Sequence, residues 1–123
     1  MPVAALDHIN ITAPAELLDA CRDFYVEVLG LAVGYRPPFR RAGTWLYAGD
    51  QPVVHLVTGP SQPPAPESSL NHIAFVCSGI AELTARLEAR AIPFERMTVP
   101  ATGDEQLFLS DPAGVPIELR FPR

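Results

Sequence analysis

Leu6-Asp7-His8-Ile9-Asn10-Ile11 and Leu70-Asn71-His72-Ile73-Ala74-Phe75 are near copies, separated by an offset of 64 residues. A second pair, WLYAGDQPVVHL (Trp45 to Leu56) and FLSDPAGVPIEL (Phe108 to Leu119), follows at an offset of 63. Each match alone is weak. Two in the same order and at nearly the same spacing indicate an internal duplication. Between the copies lies GPSQPPAPES, residues 59–68, with four prolines in ten positions. Such a run is extended and semi-rigid, and at about 3.1 Å per residue it spans on the order of 30 Å. The expected organisation is one domain over 1–123, made of a first module (1–58), a proline-rich linker (59–68) and a second module (69–123).

The elements expected within each module follow from periodicity. Val3 to Thr12 alternates and is rich in β-branched residues, which predicts a strand. Leu17, Leu18, Cys21, Phe24, Tyr25, Val28 and Leu29 recur at helical spacing, with Gly30 as the stop. Short strands are expected near 31–36, 44–48 and 52–58. In the second module a strand at 70–77 precedes a helix. Ser78 is its expected N-cap, and its apolar stripe is Ile80, Leu83, Leu87 and Ala91, with Thr84 on the same face. Strands near 93–99, 105–110 and 115–121 complete the module, the last two joined by the turn Asp111-Pro112-Ala113-Gly114. Each module reads strand, helix, three strands, so the fold class is α+β with helices on one face of mostly antiparallel sheets.

Composition narrows the function. Apolar residues make up 48% of the 123 residues and charged ones 19%, which suits a packed core rather than a disordered chain. The net charge of −5 argues against nucleic acid, which needs a basic surface. All nine basic residues are arginine. No apolar run approaches the roughly 18 residues of a membrane helix. The N-terminus, MPVAALDHIN, lacks the charged and apolar regions of a signal peptide, so a cytoplasmic location is expected. Cys21 and Cys77 sit inside apolar patterns, where buried, reduced thiols are the rule.

The chain has three histidines, His8, His55 and His72, all within expected strands. The duplication pairs His8 with His72 and His55 with Glu118. Strand side chains alternate between faces. His8 therefore shares a face with Asn10 and Thr12, while Ile9 and Ile11 point to the helix. The same parity separates His72 and Ala74 from Ile73 and Phe75, and Glu118 and Arg120 from Ile117, Leu119 and Phe121. All four groups can face one cavity. Imidazole and carboxylate donors suit zinc, nickel, iron(II), cobalt or manganese, and an ion would compensate a buried Glu118. The ordinary alternative is four satisfied core or rim residues, a reading that their paired placement weighs against.

The LDHINI stretch, the helix ending FYVEVLGL, NHIAF and the closing FLSDPAGVPIEL together resemble the vicinal oxygen chelate superfamily, which includes glyoxalase I, extradiol dioxygenases and bleomycin resistance proteins. The resemblance covers nearly the whole chain. It implies two βαβββ modules forming a curved sheet around one divalent metal ion per site, held by His8, His72 and Glu118. His55 falls where glyoxalase-type members place a fourth ligand, usually glutamate or glutamine; histidine there is a departure. Ala113 departs mildly from the usual aspartate. Many small members pair modules across a homodimer, which implies sites combining His8 and His55 of one chain with His72 and Glu118 of the other.

His55 decides which chemistry is expected. With four protein ligands, an octahedral ion keeps two positions for a chelating small oxygenated substrate, as in a glyoxalase-type isomerase or lyase that stabilises an enolate. Glu118 and His55 are then the catalytic candidates. With His55 off the metal, His8, His72 and Glu118 form the 2-His-1-carboxylate triad of an iron(II) dioxygenase. A non-enzymatic binding or resistance protein is the third reading. Arg120, Trp45, Tyr47, Phe108 and Gln106 are the candidate substrate contacts. Solvated arginine and core-packed aromatics are the plainer roles for them. The basic stretch Tyr35 to Arg41 reads either as a solvated hairpin or as a cover that meets an anionic substrate.

Overall fold

The computed structural model describes residues 2–60 and 69–123, so most of the proline-rich linker lies outside the described residues. The chain divides into two compact units, Met1–Pro63 and Pro64–Arg123, each with its own four-stranded sheet. In the first, β1 (Ile9–Ala13) leads into α1 (Ala15–Asp23), then β2 (Ala32–Gly34), β3 (Gly43–Ala48) and β4 (Gln51–Thr58). In the second, β5 (Ile73–Val76) leads into α2 (Ile80–Ala89), then β6 (Glu95–Thr98), β7 (Glu105–Ser110) and β8 (Pro116–Phe121). The strand orders are β1-β4-β3-β2 and β5-β8-β7-β6. In both units the first strand is parallel to the last and the other pairs are antiparallel. The α+β architecture and its repetition are those the sequence predicts.

Alternation sets the core. In β8, Ile117, Leu119 and Phe121 are buried while Glu118 and Arg120 take the other face, and Leu107 and Leu109 of β7 join the buried set. In the first unit Leu46, Val54 and Leu56 are buried, as are Leu18, Cys21, Phe24, Tyr25 and Val28 of the helical segment. Burying each such large side chain contributes roughly 1.5–3 kcal/mol. Asp111, itself buried, folds the turn before β8: its Oδ1 accepts hydrogen bonds from the backbone N–H of Ala113 (2.8 Å) and Val115 (2.9 Å).

The ends of the elements depart from the alternation. The first strands begin at Ile9 and Ile73, so His8 and His72 stand one residue ahead of them. The partner strands carry Pro52 and Pro116 near the matching ends. Proline has no N–H with which to extend a ladder. Beyond α1 the chain makes a π-helical turn, Phe24–Val28, with Leu29 N–H reaching Phe24 O at 3.2 Å. Gly30 then stops the helix as expected, with φ of 80° and its N–H on Val26 O.

Ser78 is not the N-cap of α2. Gly79 occupies that position at φ 74° and no side chain caps the helix. Nor does Ala91 extend the apolar stripe. The helix ends at Ala89, and exposed Ala91 adopts φ 53° in a left-handed terminus closed by Ile92 N–H on Leu87 O at 2.9 Å. Thr84 satisfies its hydroxyl by donating to the carbonyls of Ile80 and Ala81. Cys21 is buried and Cys77 half-buried, and neither forms a disulfide. Among the described residues no helix is long and apolar enough to cross a membrane.

A left-handed alanine crowds its own Cβ against the backbone, which glycine avoids. Ala91→Gly is therefore expected to stabilise the protein by about 0.5–1 kcal/mol, read as a higher urea midpoint at unchanged m-value. An unchanged or lower midpoint would show that the left-handed residue is not strained.

Candidate metal and substrate site

The parallel pairing of first and last strand fixes where the histidines stand. Asn10 of β1 lies opposite His55 of β4, and Ala74 of β5 lies opposite Glu118 of β8. His55 and Glu118 thus occupy equivalent register positions in the two units. His8 and His72 lie two residues before Asn10 and Ala74, which parity places on the same faces. Among the described residues no group of three or more histidine, cysteine, aspartate or glutamate side chains gathers as an ion site. Each unit holds one pair.

In the second unit His72 Nδ1 is 2.7 Å from Asn71 Oδ1. The amide oxygen only accepts, so Nδ1 carries the proton and donates. Nε2 stands 3.2 Å from Glu118 Oε1, and in the neutral ring it carries the lone pair. Two acceptors at that distance repel unless a proton or a cation lies between them. Two donor atoms each about 2.1 Å from one ion and at right angles would be about 3 Å apart. The pair therefore fits a divalent ion. Glu118 is mostly buried, and its Oε2 accepts from Gln106 Nε2 at 3.4 Å. Phe108 lies across from Glu118 on β7.

The first unit repeats half of this pattern. His8 Nδ1 donates to Asp7 Oδ2 at 2.7 Å, so in the neutral ring the lone pair lies on Nε2. His55 differs. It is buried at 7% exposure and donates from Nε2 to Pro52 O at 3.0 Å, so its lone pair is on Nδ1. Its ring lies between His8, with centroids 3.7 Å apart and planes 10° from parallel, and Trp45, at 4.0 Å and 13°. A ligated ion lies in the imidazole plane. Two stacked planes held this far apart cannot both contain one ion about 2.1 Å from a nitrogen of each. In this arrangement His8 and His55 are not a chelating pair, although the sequence groups both with the ligands.

Burial first, and then the neighbouring His8 charge, push the His55 pKa below its ordinary value, although the Pro52 bond acts the other way. His55 is thus held neutral. Beside it lies a depression of about 360 Å³, lined from the strands by Asn10, Trp45, His55 and Val57 and rimmed by the 36–41 segment.

The other candidates fall in different places. Tyr47 turns its hydroxyl onto Tyr35 O and packs its ring against Gly34, apart from that depression. Arg120 is engaged with Asp104, Nη2 to Oδ2 at 2.8 Å. Asp104 also takes the Arg123 N–H, and these bonds hold its carboxyl below the usual range. Alternation does not single out Asp7 and Asn71. Their signal is position, since each directly precedes a histidine in the duplicated stretch.

The fold has counterparts. Residues 5–119 match the model of the Glyoxalase/Bleomycin resistance protein/Dioxygenase superfamily. A solved glyoxalase family protein from Enterococcus faecalis is 31% identical, with a TM-score of 0.70 and coverage of 98% of this chain and 99% of that one. One from Bacillus anthracis is 25% identical, with a TM-score of 0.78 and coverage of 98% and 97%. The fosfomycin resistance protein FosX from Listeria monocytogenes shares the fold at 17% identity, with a TM-score of 0.74 and coverage of 98% and 95%. No curated protein matches the chain by sequence. With nearly its whole length matched, the chain belongs to the glyoxalase/bleomycin resistance protein/dioxygenase superfamily.

Proposed function

We propose that this protein is a divalent-metal-dependent enzyme acting on a small oxygenated substrate, with His8, His72 and Glu118 as its metal ligands. The observation that carries this reading is the 3.2 Å approach of His72 Nε2 to Glu118 Oε1, with His72 Nδ1 engaged by Asn71 on the other side of the ring. The two units would be combined across a homodimer, so that each site draws His8 from one chain and His72 and Glu118 from the other. When bound, such an ion would supply Lewis-acid stabilisation of a chelated enolate or, as iron(II) on a 2-His-1-carboxylate triad, the redox chemistry of a dioxygenase.

The chain's own residues do the rest. Asp7 and Asn71 fix the tautomers of His8 and His72, and Gln106 steadies Glu118. His55, neutral and with Nδ1 unprotonated, can accept a substrate proton at that atom. Its stacked position supports a three-ligand site, and on that ground we favour the extradiol-type dioxygenase reading over the glyoxalase-type lyase or isomerase. One observation favours the latter: His55 has the same register position as Glu118. Ligation by His55 would then require its ring to leave Trp45 and Pro52.

Metal analysis separates the readings. His72→Ala and Glu118→Gln are expected to lose the ion, while His55→Ala retains it at the wild-type ratio and the iron(II) protein consumes oxygen with a catechol. Loss of metal in His55→Ala would sink the three-ligand reading in favour of the lyase. A chain that takes up no divalent ion under any reconstitution would leave a small-molecule binding protein.

His55 also predicts a pH dependence. Its folded pKa lies below the unfolded value near 6.5. The unfolded chain therefore binds the proton first, and stability is lost as pH falls from about 6.5 toward the lowered value. Denaturant unfolding of the metal-free protein between about pH 7.5 and 5.5 is expected to show a shallower acid-side loss for His55→Phe than for the wild type. Equal slopes would contradict a depressed His55 pKa.

A further inference from the structure

The chain carries a net charge of −5, yet the depression beside His55 is lined by Arg36, Arg40 and Arg41 and by no carboxylate. Elsewhere Arg22, Arg86, Arg96 and Arg120 each sit on an aspartate or glutamate. Among the described residues, no ion pair involves the three arginines of the depression. Arg36 is the most constrained of them. Its Nη2 donates to Arg41 O at 3.1 Å, and its guanidinium stands 4.9 Å over the Phe39 ring. Its Nε is buried without a hydrogen-bond partner among the described residues. Gly43 gives the guanidinium its place, since a Cβ there would stand 3.0 Å from Nη2 and 2.3 Å from Leu56 O. Arg36 as a whole is half-buried, but an enclosed N–H with no acceptor is costly. An anion with oxygens in the plane of the guanidinium would satisfy it.

The remaining lining is apolar and amide: Phe39, Trp45 and Val57, with Asn10 beside them. Phe39 and Trp45 lie 6.1 Å apart, so the wall facing the guanidinium is continuous. At about 360 Å³ the space suits a small organic molecule. We propose that this depression is a binding subsite for the carboxylate of a substrate with a compact apolar body, gripped by Arg36 with Arg41 and Arg40 at the rim. As an assignment of substrate class it rests on the reading of this face as the enzyme's site. The grip itself lies wholly in the first unit and requires no metal.

Trp45 is the only tryptophan and lines this depression, so its fluorescence at fixed pH reports occupancy there. The full chain, stripped of metal by a chelator, is titrated with cyclohexanecarboxylate, with the neutral cyclohexanecarboxamide and with inorganic phosphate. Saturable change is expected with the carboxylate alone. Arg36→Gln is expected to weaken it by about tenfold or more. Because Arg36 also holds the Arg41 carbonyl, the rim variant Arg41→Gln is read beside it and is expected to weaken binding with less disturbance of the loop. His72→Ala, in the other unit, is expected to leave carboxylate binding unchanged while abolishing metal uptake, so the two proposals fail separately. Equal response to the carboxamide, or unaltered affinity in both arginine variants, would overturn the subsite. Tighter binding of phosphate would overturn the assignment to carboxylates.

Discussion

Everything at the candidate site depends on the parallel pairing of the first and last strand in each unit. That pairing brings a residue near the N-terminus of the module beside one near its end, and it fixes them in register: Asn10 with His55, Ala74 with Glu118. Alternation then does the sorting. Ile117, Leu119 and Phe121 go to the core and Glu118 to the opposite face, so the acidic side chain cannot be moved without shifting a buried strand by one residue. The helix on the core side contributes no donor. Its role is to give the sheet a face to bury, and the other face is thereby left for chemistry.

Much of this was legible in the sequence, for a definite reason. Period-2 alternation and a duplicated motif both survive as patterns of residue type, so the βαβββ order, the pairing of His8 with His72 and of His55 with Glu118, the Gly30 stop and the Asp111 turn could be anticipated. The rest depends on three-dimensional neighbours. Ser78 is a good cap by composition, yet left-handed Gly79 takes the position. Ala91 fits the helical period, but the helix ends two residues earlier. Arg120 has the right parity for a substrate contact, and its guanidinium sits on Asp104, sixteen residues away in sequence.

His55 is the sharpest instance. Its position in the duplication groups it with Glu118, and its burial, its stack between His8 and Trp45 and its bond to Pro52 O are invisible to any pattern along the chain. Val54, His55 and Leu56 are all buried, where strict alternation leaves the middle residue open. An aromatic sandwich closes over the polar face of the strand. In the second unit Phe108 holds the register position of Trp45, and the Glu118 carboxylate is met by histidine and glutamine side chains.

The residues preceding the two histidines carry a last consequence. Both hold Nδ1–H at 2.7 Å, but Asp7 does so with a charged carboxylate and Asn71 with a neutral amide. A carboxylate draws the shared proton toward itself and leaves imidazolate character on the ring, so His8 is the more electron-rich donor of the two. Duplication made the halves alike in geometry. This single difference makes them unlike in electron supply, so a cation meeting the first histidine would find a stronger donor than one meeting the second.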